Sequence, residues 1–224
     1  MKKLDKITIK NFKSIRKLEL KLNSLNVFIG GNGVGKSNFI SAFKLLNNII
    51  NKNLQTFVGK SGGADRILYF GRKTSDRLEF NLSFDDNKNG YECTLVPDVE
   101  GGFIFEYEAV WFHNKEKYEK PFPQPLNSGG RETGLFKRSV STPFQNMADY
   151  IINDLKSWTI YHFHDTSDSA KVKQTCKLDD NVKLRSDASN LPAFLYAMKK
   201  KNPDNFENIE DTIRQVAPFL INLT

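Results

Sequence analysis

Gly30-Gly31-Asn32-Gly33-Val34-Gly35-Lys36-Ser37 is an unbroken G-x-x-x-x-G-K-S run. Its chemistry follows from its residue types: glycines let successive backbone N–H groups turn inward around phosphate oxygens, Lys36 adds a mobile cation, and Ser37 offers a hydroxyl to Mg²⁺. A helix starting at this point aims its positive N-terminal end at the same oxygens. The run has the flanks this chemistry needs. Leu25-Asn26-Val27-Phe28-Ile29 before it is short and mostly apolar, the pattern of a buried strand. Phe39, Phe43, Leu46 and Ile50 after it fall at i, i+4, i+7 and i+11, one face of an amphipathic helix. A random chain of this length would match the run about once in a hundred times, and the flanks lower that figure. Nucleotide binding is the leading reading; a glycine-rich turn that holds nothing is the bland one.

The chain has 224 residues, 39% of them hydrophobic, enough for a packed core in one large domain or two small ones. Its apolar stretches fall far short of the roughly 20 residues that cross a bilayer, and its basic N-terminus lacks an apolar signal core. A cytoplasmic protein with no membrane partner is expected. Cys93 and Cys176 stand far apart, so neither a disulfide framework nor a zinc site is indicated. A net charge of +7 and a pI near 9.2 favour polyanionic partners, DNA among them. Much of that excess is scattered lysine, as in Lys199-Lys200-Lys201, so a solvated basic surface is the alternative.

Ile7 and Ile9 alternate with polar neighbours, as do Leu18, Leu20 and Leu22, so two strands precede the one leading to the glycine run. Ser61-Gly62-Gly63-Ala64 reads as a flexible connection to a second β-rich block. There Leu78, Phe80, Leu82 and Phe84, then Tyr91, Cys93 and Leu95, form a hairpin around a turn at residues 87–90, and an aromatic strand covers residues 103–112. These elements make an N-terminal lobe, residues 1–112. Residues 113–142, with Pro121, Pro123 and Pro125, read as a flexible insertion. Residues 143–224 form a third region. In it Phe144, Met147, Ile151 and Leu155 mark a helix, residues 158–163 a strand, and two further helices follow, one capped by Ser189 or Asn190 and one starting at Pro203-Asp204.

Thr8-Ile9-Lys10-Asn11-Phe12-Lys13-Ser14-Ile15, followed by residues 25–30 and the loop ending Gly35-Lys36-Ser37-Asn38, resembles the opening of ABC-type ATPases of the SMC, RecF and OLD group. Residues 158–167, Asp187-Ala188-Ser189-Asn190-Leu191 and Val216-Ala217-Pro218-Phe219 look like a subgroup of AAA-type bacterial ATPases without a long coiled-coil arm. That subgroup includes the Septu-type phage-defence ATPases, which work with an HNH nuclease. The fold so implied is α/β, a P-loop NTPase of ABC type with a mixed core sheet, a flanking antiparallel β-block and helices. Its ligands would be ATP and Mg²⁺. By this likeness Lys36 holds the β- and γ-phosphates, Ser37 holds Mg²⁺, and the backbone of Gly30, Asn32, Gly33 and Gly35 cradles oxygens. Asn38 lies near the α-phosphate and Lys13 approaches from the end of the first strand. His164 and Asp165 stand where the family often has the glutamine that follows a core strand. His162 and His164 alternate there, and two ligands without a third are poor evidence for a metal.

A complete head also needs an aliphatic run ending in Asp-Glu, where Asp orders the Mg²⁺ shell and Glu polarises water. No such run exists among these residues, and Leu126-Asn127-Ser128-Gly129-Gly130 mimics the family signature from within a proline-rich loop. The resemblance therefore implies the N-terminal part of an ATPase head. Its closure as a homodimer or higher oligomer would control a DNA-acting partner, such as an HNH nuclease. The competing readings are an OLD-type nuclease with a downstream Toprim domain and a nucleotide sensor that never hydrolyses.

Overall fold

The computed structural model describes residues 4–136, 142–161, 167 and 169–219, which divide into two units, 1–158 and 159–224. In the first unit six strands make one sheet in the order β2-β1-β3-β4-β5-β6, every neighbouring pair antiparallel. The strands are β1 (Leu4–Phe12), β2 (Ile15–Lys21), β3 (Leu78–Phe84), β4 (Asn89–Pro97), β5 (Phe103–Phe112) and β6 (Phe122–Asn127). The helices are α1 (Lys36–Ile50), α2 (Leu54–Lys60), α3 (Ala64–Ile67) and α4 (Thr142–Ser157).

Alternation along the strands sorts the residues by face. Ile7 of β1 pairs with Leu82, Leu82 with Tyr91 and Tyr91 with Val110, and all four are buried. Lys10 and Glu79, paired across β1 and β3 on the other face, join in a 2.6 Å ion pair. The buried face packs with Leu45, Leu46, Ile49 and Ile50 of α1 and with Ile151, Ile152 and Leu155 of α4 in one apolar cluster. Each such side chain gains about 1.5–3 kcal/mol on leaving water.

Two expectations need correction. Residues 25–29 pair with no strand among the described residues, and Leu25, Val27 and Ile29 are 79%, 73% and 93% exposed. Residues 158–161 likewise carry no strand, and 162–163 lie outside the described residues. Among the described residues the sheet is antiparallel throughout rather than mixed: both segments have strand-like composition, but a strand needs a neighbour to bond its backbone groups. In the opposite sense, residues 113–142, read from their prolines as an insertion, supply the edge strand β6. Proline is tolerated there because an edge leaves one row of backbone groups unpaired.

One buried carboxylate holds the far side of the sheet. Glu108 lies on the core face, fully buried, and accepts from Tyr91 Oη at 2.7 Å, Thr133 Oγ1 at 2.5 Å and Gly134 N at 2.7 Å. It thereby ties the chain after β6 back to β4 and β5. Burial pushes its pKa above the ordinary carboxyl range, against the lowering pull of these donors. Nearby, the Glu132 carboxylate accepts from Leu54 N and Gln55 N, both at 3.1 Å, and so caps α2 from a distance.

The second unit contains α5 (Leu191–Lys201) and α6 (Pro203–Val216), packed as a hairpin with Ala193, Ala197 and Phe206 inside. Asn190 precedes α5 as expected, but its side chain does not cap the helix. Its Nδ2 donates to the carbonyls of Asp180 and Lys183, and its Oδ1 accepts from Arg185 N, all at 2.9 Å. This fully buried amide therefore staples the preceding loop.

Glu108→Ala is expected to cost about 2–3 kcal/mol, because the Tyr91 hydroxyl and the Gly134 amide lose their buried acceptor; urea unfolding measures it. Since the folded-state pKa of Glu108 is raised, its contribution is complete at low pH and lost as pH rises through the folded pKa. Glu108→Gln should flatten that part of the stability–pH profile.

Candidate nucleotide-binding site

The site begins where β1 stops. Asn11 and Lys13 hold left-handed backbones, φ 59° and 49°, and without glycine such turns need outside support. That support is a clip to the chain after α3. Lys13 N donates to Ile67 O at 2.8 Å, Tyr69 N to Asn11 O at 3.0 Å, and Asn11 Nδ2 to Arg77 O at 3.0 Å.

Ser14, next in the turn, meets the glycine run. Asn38 Nδ2 donates to Ser14 Oγ at 2.7 Å, and a methyl group on Gly35 would lie 3.3 Å from the same oxygen. The run itself turns through Gly33 and Gly35, both left-handed at φ 84° and 103°. α1 then starts at Lys36, with Phe39 N donating to Gly35 O at 2.9 Å. No side chain caps this helix and no acidic residue occupies its first turn. The positive end is therefore available to an anion, unlike that of α2.

Lys36 Nζ donates to Gly30 O at 2.5 Å and Gly31 O at 2.7 Å. Its ammonium folds back over the loop and holds two of its carbonyls. Gly30, Asn32, Gly33 and Ser37 are exposed, while Gly35 and Asn38 are half-buried against the turn. The Lys13 ammonium lies 5.6 Å from the Phe12 ring centroid. Partial burial lowers its affinity for a proton, and the neighbouring Lys44 lowers it further. Two cations held this way gain from a nearby anion.

This donor set fits a triphosphate with magnesium: a loop turning through two left-handed glycines, an uncapped helix start, the Lys36 ammonium and the Ser37 hydroxyl. The two-carbonyl grip on Lys36 supports the fit, since the side chain already spans the loop. His164 and Asp165, expected beside the metal, lie outside the described residues, as does His162. Trp158, just before them, is held by an aromatic chain. Phe28, Phe39, Phe43 and Trp158 stack in succession with centroids 4.9, 5.1 and 5.1 Å apart. The signature-like segment is stitched to β5 instead of opening a helix: Gly129 N donates to Phe105 O, and Phe105 N to Gly130 O. Among the described residues no three of His, Cys, Asp and Glu could hold a metal ion, and no helix is long and apolar enough to cross a membrane. Ser14 escaped the sequence reading of the site; its place beside Lys13 in N-F-K-S was the available signal.

A family model described as "AAA ATPase domain" matches residues 1–220. The chain is 28% identical over 144 residues to the chromosome partition protein Smc of Methanocaldococcus jannaschii, covering 61% of this chain and 12% of that protein. It is 34% identical over 83 residues to the endonuclease GajA of Bacillus cereus, covering 37% of this chain and 13% of that protein. The chain thus spans about an eighth of the length of either relative.

Gly35→Ala places an L-residue at φ 103° and a methyl group against Ser14 Oγ, a strain of roughly 1–2 kcal/mol. Titration calorimetry with magnesium tripolyphosphate should show several-fold weaker binding than in the unaltered chain.

Proposed function

The chain belongs to the AAA ATPase domain family, and from that premise we propose that it is an ATP-binding subunit whose nucleotide-driven association controls a DNA-acting partner. One observation carries the reading. The loop of residues 30–37 opens onto an uncapped helix start, and Lys36 reaches back across it. When bound, MgATP would supply a polyphosphate and a divalent charge to that donor set. Lys36 would then exchange the Gly30 and Gly31 carbonyls for the β- and γ-phosphates. Ser37 would hold Mg²⁺, the amides of Asn32, Gly33 and Gly35 would face phosphate oxygens, and Asn38 and Lys13 would flank the α-phosphate.

The unpaired apolar residues 25–29 support the further proposal that this is the N-terminal part of an ABC-type head. The acidic strand, the signature segment and the glutamine-loop partner would be supplied by additional chain or by a second subunit. Closure would then be a homodimer or higher oligomer with ATP between subunits. Likeness to an endonuclease and to a chromosome partition protein, with the basic charge of +7, supports DNA and a nuclease as partners. A phage-defence setting with an HNH partner in the cytoplasm fits these relatives. Because one relative is itself named an endonuclease, an OLD-type nuclease with a downstream Toprim domain is the second reading.

The 224-residue chain is expected to bind MgATP without turning it over, since no Asp-Glu strand is present to activate water. Lys36→Ala should abolish binding in equilibrium titration. Turnover by this chain alone that Lys36→Ala removes would overturn the incomplete-head proposal, and unchanged binding in Lys36→Ala would overturn the nucleotide site.

A further inference from the structure

Phe70 is 74% exposed, yet its backbone is left-handed at φ 53°. A bulky residue in that region is a strained outlier, and such strain persists only where the surroundings over-determine it. Here they do. Gly71 N donates to Leu68 O at 3.2 Å, while Thr74 N and Ser75 N both donate to Gly71 O at 3.0 Å. Ser75 Oγ donates to Tyr69 O at 2.9 Å. Arg72 donates from its backbone N at 2.9 Å and its Nε at 3.0 Å to Asp65 Oδ1. The Tyr69 ring meets Phe70 edge-on, 4.7 Å between centroids at 88°. A tightly built turn therefore presents one face of an aromatic ring to water, which apolar burial alone would oppose.

The position of this turn indicates its occupant. Tyr69 N is bonded to Asn11 O, Lys13 N to Ile67 O, and the backbones of Phe12 and Leu68 form a bridge. Three residues beyond Asn11, Ser14 touches Asn38 and Gly35 at the start of α1. The turn after β1 is thus bonded on one side to the segment that carries the exposed ring and on the other to the start of α1 beside the phosphate loop. We propose that Phe70 is the base platform of the site: a purine triphosphate with its phosphates in the loop lies outward over the Lys13-Ser14 turn and stacks its base on the Phe70 ring. This deepens the nucleotide reading of the loop and rests on it. The aromatic face recognises a flat π-system without a hydrogen-bond code, so the platform would favour nucleotides over bare polyphosphates while discriminating weakly between adenine and guanine.

The test compares MgATP with magnesium tripolyphosphate by titration calorimetry on the 224-residue chain. Phe70→Ala should weaken MgATP about tenfold and leave tripolyphosphate binding unchanged, and Phe70→Trp should retain the ATP affinity. Unchanged ATP affinity in Phe70→Ala, or equal loss for both probes, would overturn the platform while the loop stands. Wild-type binding of tripolyphosphate as tight as that of ATP would do the same. Binding of neither probe by the wild type would remove the phosphate site and the platform with it.

Discussion

The 2.7 Å hydrogen bond from Asn38 to Ser14 joins the sheet to the phosphate loop. Everything that positions the loop passes through that neighbourhood. β1 lies inside the sheet, bonded to β2 on one side and β3 on the other, so its end is fixed by two ladders. The turn at its end is fixed again by the chain around Ile67 and Tyr69. A glycine loop has little rigidity of its own, since glycine loses the most conformational freedom on ordering. Its shape is borrowed from this doubly anchored turn and from the first residues of α1.

The stretch leading into the loop behaves differently. Residues 25–29 are mostly apolar and exposed, and within them Phe28 makes a ring contact with Phe39. That contact starts the aromatic series along α1 that ends at Trp158. α1 thus holds Phe28 through Phe39 and Trp158 through Phe43, while residues 25–29 have no strand beside them among the described residues. Exposed apolar segments of this kind are a burden on a folded protein unless they are covered.

Away from the loop, irregular chain is held by single buried polar groups. Glu108 gathers a tyrosine, a threonine and a backbone amide, and Asn190 gathers two carbonyls and an amide. Such groups are costly when unpaired and specifying when fully paired. They explain why proline-rich and polar stretches, which lack periodic signals, take definite paths.

Local chemistry made part of this molecule legible before any fold was known. The glycine run declared itself because phosphate binding needs those residue types at that spacing, and the alternation in β1, β2, β3 and β4 declared strands because one face must leave water. The α1 and α4 stripes did the same at helical spacing. Long-range contacts were invisible. Whether residues 25–29 pair depends on a neighbouring backbone, which composition cannot supply. β6 hid behind its prolines because only an edge position makes them harmless. Glu108 was silent and Asn190 read as a helix cap, because a polar side chain acquires its role from partners brought near by the chain's path. The sequence by itself determined the phosphate-loop motif and the alternating faces, since both follow from neighbours within a few residues. Tertiary structure alone decided which polar groups become anchors and which strand-like segments stay unpaired, because those outcomes depend on distances between residues far apart in the chain.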